Sequence, residues 1–203
     1  MPQMSRRHLV LTAAALSFAR PALGDARDPL GQVLALTGTG TLTRDSVPVP
    51  LTPGLALHEG DIAATGEDGL ALLLLDEDMR INLGLSSSIE LASFVSEVGG
   101  AINLGGALVF DRPEDRPPVD IRFVTAFGEI GVRGTRFFAG PSRGEFAVFV
   151  QRGSVAVSNA GETRLLAAGE GCAMIEGAAP GPVSPWGEAR IVEAFASLGL
   201  TRD

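Results

Sequence analysis

Histidine is the commonest general acid or base in enzymes. Past residue 24 this chain has one, His58, so a Ser or Cys nucleophile would find a single base with nothing evident to orient it. Cys172 is the only cysteine and sits in GEGCAMIEG between apolar neighbours. That excludes an intramolecular disulfide and a Cys-based zinc site, and reads as a small buried residue. The sequence contains no Lys, so a phosphate loop ending in Gly-Lys cannot form. Asp76-Glu77-Asp78 lacks the spacing and distal Glu of a calcium-binding EF-hand and reads as a solvated hairpin turn. Asp61, in Glu59-Gly-Asp-Ile-Ala-Ala-Thr-Gly66, reads as a turn carboxylate that caps backbone amides. No two acids stand out as a glycosidase pair. The expectation is a protein that is not an enzyme, with no catalytic residue, metal ligand or cofactor.

The elements that carry these residues are short. Residues 125–138 read TAFGEIGVRGTRFF, an alternating strand pattern interrupted at Gly134. Arg133-Gly134 could be a ligand clamp, or a bulge where glycine takes a conformation that residues with a β-carbon avoid. The local, backbone-shaped character of the stretch favours the bulge. Gly31–Gly38 and Gly40–Arg44 alternate as strands, and Asp45–Pro50 reads as a turn-rich connection. Thr65–Gly69 is a turn, Leu70–Leu75 an apolar strand buried on both faces, and Arg80–Leu83 its return. Ile81-Asn-Leu-Gly84 recurs as Ile102-Asn-Leu-Gly105, and Gly106, Gly128 and Gly153 each open a Gly-x-apolar-x-apolar unit. The spacing suits either solenoid-like stacking or an antiparallel sandwich. Asp111–Pro118 is charged and proline-rich, and reads as a solvated insertion. After a linker from residue 177, Ser184 and Pro185 look like the cap and first residue of a helix carrying Ile191, Val192, Phe195 and Leu198, with Gly199 as its stop.

With 203 residues, 26 Gly, 13 Pro, no Tyr and few long helical runs, one all-β domain is expected. The net charge is −8, and no basic stripe is visible. Phosphate neutralisation drives nucleic-acid affinity, so nucleic acid is excluded as a partner. The first residues, MPQMSRRHLVLTAAALSFARPALGDA, join a basic start, a short apolar run and small residues before a cleavage point at Gly24-Asp25. That is a signal peptide over residues 1–24. Arg6-Arg7 adds a resemblance to the twin-arginine motif, with Sec export left open. The apolar run is about half the ~20 residues a spanning helix needs. The mature chain should carry no transmembrane segment and reside in a bacterial periplasm or outside the cell.

Several pieces, in order, resemble the FecR domain. They are Gly31-Gln-Val, then Leu57-His-Glu-Gly-Asp-Ile-Ala-Ala-Thr-Gly-Glu-Asp-Gly, then Leu75-Asp-Glu-Asp-Met-Arg-Ile, Val132-Arg-Gly-Thr-Arg-Phe and Leu166-Ala-Ala-Gly-Glu170. The most specific are Gly60-Asp61 with Thr65-Gly66, and Val132-Arg133-Gly134-Thr135, read as structural motif residues. In FecR-type iron-uptake regulators this domain is periplasmic, follows a cytoplasmic anti-sigma segment and a membrane helix, and contacts the signalling domain of an outer-membrane receptor. Here an export signal stands in place of the cytoplasmic segment. The resemblance implies an exported FecR-like module at residues 30–176, followed by a linker and helix at 177–203. It would bind a protein partner in the periplasm or envelope. The alternative is a structural envelope protein that binds a glycan or another wall polymer; Trp186 as sole Trp and the lack of Tyr leave it few stacking platforms.

Overall fold

A computed structural model describes residues 28–95, 98–117 and 119–201. The proposed signal peptide and its Gly24-Asp25 cleavage point lie outside the described residues. The described chain is all-β with one short helix. In chain order the strands are β1 (Gly31–Thr37), β2 (Gly40–Arg44), β3 (Val47–Pro50), β4 (Ala56–Leu57), β5 (Ile62–Thr65), β6 (Leu70–Leu75), β7 (Met79–Leu83) and β8 (Ser88–Val95). There follow β9 (Gly99–Gly105), β10 (Leu108–Asp111), β11 (Asp120–Thr125), β12 (Gly128–Ser142), β13 (Glu145–Asn159), β14 (Glu162–Ala167), β15 (Glu170–Met174), β16 (Ser184–Pro185) and the helix α1 (Glu188–Ala196).

Hydrogen bonding links the strands in the order β3-β2-β5-β8-β9-β11-β12-β10-β7-β6-β1-β4, with β13 to β16 continuing from β12. All pairings are antiparallel except β9 with β11. Along that path β1 and β2 lie near opposite ends, yet only Gly38 and Thr39 join them. Two residues span roughly 10 Å, which is the distance between packed sheets. The sheet must therefore fold back on itself. One layer runs β3-β2-β5-β8-β9-β11 and the other β4-β1-β6-β7-β10. Short corners at 66–69, 84–87 and 106–107 also step between them.

β12 belongs to both layers. Gly128–Val132 pair with β11, and Arg136–Ala139 pair with β10. Between these segments the register with β13 slips. Strands that switch sheets do so through bulges. β13 follows the same bend, with β14 on its second half and β15 on its first.

Alternation decides the core. In β6 every second residue is buried and the others are half-buried, so the strand covers one face rather than both. The main core holds Val33, Leu73, Ile81, Phe110, Phe123 and Phe137, drawn from both layers. A second, smaller core lies outside the folded sheet, where Val109, Phe138 and Phe149 meet Trp186, Ile191, Phe195 and Leu198. The C-terminal helix packs there rather than standing free.

Two sequence expectations are corrected. Residues 47–50 form β3 rather than a turn, because edge positions tolerate proline. Ser184-Pro185 forms a bridge with Gly171-Glu170, and the helix instead begins after Gly187. The β15 edge outcompetes the local capping signal for these two residues.

Candidate functional site

The FecR-like motif residues lie at three places where the two layers are joined. The first is a column of corners. Thr65 Oγ1 donates to the Gly84 carbonyl at 2.6 Å and accepts the Ser87 amide at 2.9 Å. Gly66 N–H donates to Thr39 C=O, and Ser86 N–H to Gly66 C=O. The Ala107 amide donates to Ser87 Oγ, and the Gly84 amide to Ala107 C=O. Four successive corners are thus bonded one on the next. A β-carbon at Gly66 would run into Thr39 Oγ1, which explains the glycine. The repeated Ile-Asn-Leu-Gly marks two of these crossings, one in each direction. At the column's outer end Thr39 bonds Asp68 through both its amide and its hydroxyl, which holds the Asp68 carboxyl below its ordinary range.

The second place is the opposite end of the same layer. Asp61 is 1% exposed. Its two carboxylate oxygens accept from Arg44 Nε and Nη2 at 2.8 and 2.7 Å, and Oδ2 also accepts the His58 amide at 2.8 Å. Arg44 Nη2 donates in addition to the Ala56 carbonyl. Since Arg44 ends β2 and Ala56 lies in β4, this clasp ties the layers together. The amide-capping role read from the sequence is present. The arginine, 17 residues upstream, carries no local signal. Gly60 precedes Asp61 in the turn and its amide bonds Leu91 C=O.

The third is the bend of β12. Val132 is buried, and Gly134 adopts φ +60, a left-handed conformation. Gly153 opposes it with φ +80, and a β-carbon there would lie 2.6 Å from the Gly134 carbonyl. Gly134 thus lies where the register between β12 and β13 slips. Thr135 is fully buried, and its carbonyl, not its hydroxyl, makes the visible bond, from Arg112 N–H. Arg133 takes part in the register with Ser154.

A charged group surrounds this bend. Asp111 receives Arg136 Nη1 at 3.3 Å and Arg152 Nη2 at 2.9 Å. Arg112 is buried, donates to Asp78 Oδ1 and to the Pro117 carbonyl, and Arg116 pairs Asp78 at 3.0 Å. Two expectations fail here. The Asp76–Asp78 turn is not merely solvated, because Asp78 is 9% exposed and doubly paired. Residues 111–117, the described part of the insertion, are likewise anchored, by the buried Arg112 at its base. An open groove of about 940 Å³ beside it is lined by Gly31, Gln32, Ala56, Asp78, Arg112 and Arg116. Both signs of charge line it, and its arginines are largely neutralised by neighbours. Among the described residues no three His, Cys, Asp or Glu side chains gather in the way a metal ion would need. Cys172 is buried in β15; burial pushes its thiol up to about 11, against a smaller opposing pull from Arg164.

The remaining exposed features are sheet edges. β3 and β14 terminate the first layer at its two ends, and Leu165 on β14 is 71% exposed. No helix among the described residues is long and apolar enough to cross a membrane.

The FecR protein family matches residues 61–156, from the clasp aspartate through the corner column and the bend of β12. That match takes in just under half of the chain. The match omits β1 to β4 and the C-terminal helix, so Gly31-Gln-Val and Leu166–Glu170 fall outside it. No curated protein matches the chain. Two crystal structures of a candidate anti-sigma factor from Parabacteroides distasonis share the fold at 14% identity, with TM-scores of 0.50 and 0.52. Each comparison covers 65% of this chain and 62% of the other, so the chain spans less than two thirds of the length of those relatives.

Proposed function

We propose that this chain is a signalling or regulatory module that works by binding another protein, exported to the bacterial periplasm and without catalysis of its own. The FecR domain at residues 61–156 carries the reading. The name of the structurally similar protein, an anti-sigma factor, points the same way. One observation supports the non-catalytic part. The motif residues that could do chemistry are spent on architecture: the Asp61 carboxylate is saturated by Arg44 and a backbone amide, and the Thr65 hydroxyl both donates and accepts within a corner. A general base must reach its substrate's proton, and Asp61 is buried and held by Arg44.

Capture of the tagged, exported chain after crosslinking in cells tests this reading. Recovery of a specific protein, retained when His58 is replaced by Ala, is the expected result. Recovery of wall glycan alone would favour the alternative of an envelope protein that holds a polymer. Loss of activity in His58→Ala at unchanged melting temperature would bring back an enzyme.

A further inference from the structure

β14 has one side free. Among the described residues it pairs with β13 and with no other strand. The β13–β14 turn is Ala160-Gly161, with φ +50 and +79, a two-residue turn of the I′ kind. Such a turn makes its flanking residues, Asn159 and Glu162, a hydrogen-bonded pair. The phase then alternates, so Glu162, Arg164 and Leu166 direct their backbone groups at β13. Thr163, Leu165 and Ala167 direct theirs outward. The structure supports this phase independently, since the Ala167 amide is bonded by the Glu170 carboxylate instead of by β13. Thr163 and Leu165 remain, each with an outward N–H and C=O.

Other edges are closed. The same phase argument applies to β3, whose turn Asp45-Ser46 has φ +48 and +65. There the outward positions are Pro48 and Pro50, which have no N–H to offer. The Leu51 amide bonding Gly40 C=O confirms that phase. The β15 edge is occupied by β16 and by Gly181, whose amide bonds Ala173 C=O. β4 is two residues long.

We propose that β14 is a docking edge, and that its occupant is an extended segment of a partner protein that adds as a further strand beside Thr163 and Leu165. This rests on the protein-binding reading above and names the surface. The recognition is backbone pairing, with an apolar side chain of the incoming strand against Leu165. A second copy fits poorly. Six residues of edge bury far less than the roughly 800 Å² per partner of a stable interface, and two chains of charge −8 repel. The same charge selects an incoming strand that is basic rather than acidic.

The test uses the mature chain and two synthetic peptides, one alternating Val and Lys, the other Val and Glu. Amide hydrogen exchange is read residue by residue. The Val/Lys peptide should slow exchange at Thr163 and Leu165 by about tenfold or more at saturation, and the Val/Glu peptide should not. Thr163→Pro removes an outward donor and should abolish the effect. Leu165→Lys, which leaves the backbone able to fold as before, should weaken it. Protection absent at these two amides, or appearing instead at another strand, overturns the proposal. So does protection that grows with protein concentration in the absence of peptide, which would make a second copy the occupant. A cellular partner captured equally by wild type and Leu165→Lys would leave the protein-binding reading standing and refute this edge.

Discussion

The two ends of the first layer are built alike and finish differently. Each is the second strand of a hairpin with a two-residue turn in the left-handed region, and in each the parity of the turn decides which backbone groups face out. At β3 the outward positions are both proline; at β14 they are Thr163 and Leu165. An edge strand is a template for pairing with another chain, and natural proteins blunt it with proline or charge. Two residues of the right parity thus change an edge from inert to receptive without altering the fold. Both strands also lie outside the residues that match the FecR family.

The two ends differ in support as well, and that gives the largest expected effect. β2, which carries β3, is anchored at Arg44 by the Asp61 clasp. Asp61→Ala would remove the buried carboxylate that accepts from Arg44 and from the His58 amide, at a cost of about 3 kcal/mol. Chemical denaturation should show the loss. Exchange should quicken in β2 and β3 while β14 is unchanged. A uniform loss of protection at both ends would mean that the clasp serves the whole domain and not one edge.

The β14 end depends on the bend. Gly134 sits at φ +60 with open space where a β-carbon would go, so a substitution there meets backbone strain and no clash. Gly134→Val should cost about 1–3 kcal/mol, because β-branched residues avoid this region. Asn tolerates it far better. Denaturation midpoints should therefore fall in the order wild type, Gly134→Asn, Gly134→Val. Equal losses for Asn and Val would show that space, not φ, is limiting.

Much of this was legible locally. Alternation marked β2 at its observed bounds, and the break in alternation marked Gly134. A proline-rich VPVP hid β3, since proline argues against a strand unless the strand is an edge. The Ser184-Pro185 cap signal was overridden by a bridge to Gly171, a contact made across the fold. The pairings that close the site were not legible at all. Arg112 reaches Asp78 over 34 residues and Arg44 reaches Asp61 over 17, and neither leaves a periodic trace. The folding of one sheet into two layers was equally hidden, because it follows from the order of strand pairing and not from any strand's composition. The repeated Ile-Asn-Leu-Gly was visible, but its meaning, a crossing between layers, needed that order.

Cys172 lies in β15, opposite Val148 on the first half of β13, and gives a pH handle on the stability of the domain. Its thiol is pushed up to about 11 from an ordinary value of 9.0 by burial. Below pH 9 both folded and unfolded chains hold the proton, and the group contributes no pH dependence. Between about pH 9 and 11 the unfolded chain loses it first, binds fewer protons than the folded chain, and stability falls as pH rises. The loss is about 3 kcal/mol at most. Denaturation at pH 8 and pH 10.5 should show it, and Cys172→Ser should remove the difference. A slope unchanged by Cys172→Ser would show that the thiol is not the source of the alkaline loss.

The smallest effect on stability bears most directly on the comparison. Replacing Pro48 and Pro50 by Val restores two outward N–H groups to β3 and removes no hydrogen bond, because neither proline faces β2. Valine also suits an extended strand. The lost proline rigidity loosens the unfolded chain, so a change of about 0.5–1 kcal/mol per site toward lower stability is the most expected. The consequence for association should be larger. With its donors restored and Val47 and Val49 already exposed, β3 becomes a second receptive edge. The double variant should therefore bind the Val/Lys peptide at two edges where wild type binds at one. Amide exchange would show protection at residues 48 and 50 in addition to Thr163 and Leu165. If the variant gains no protection at β3, outward backbone groups alone do not make an edge receptive. The distinction of β14 would then lie in the Leu165 side chain and the small-residue surface of Ala156 and Gly131 beside it.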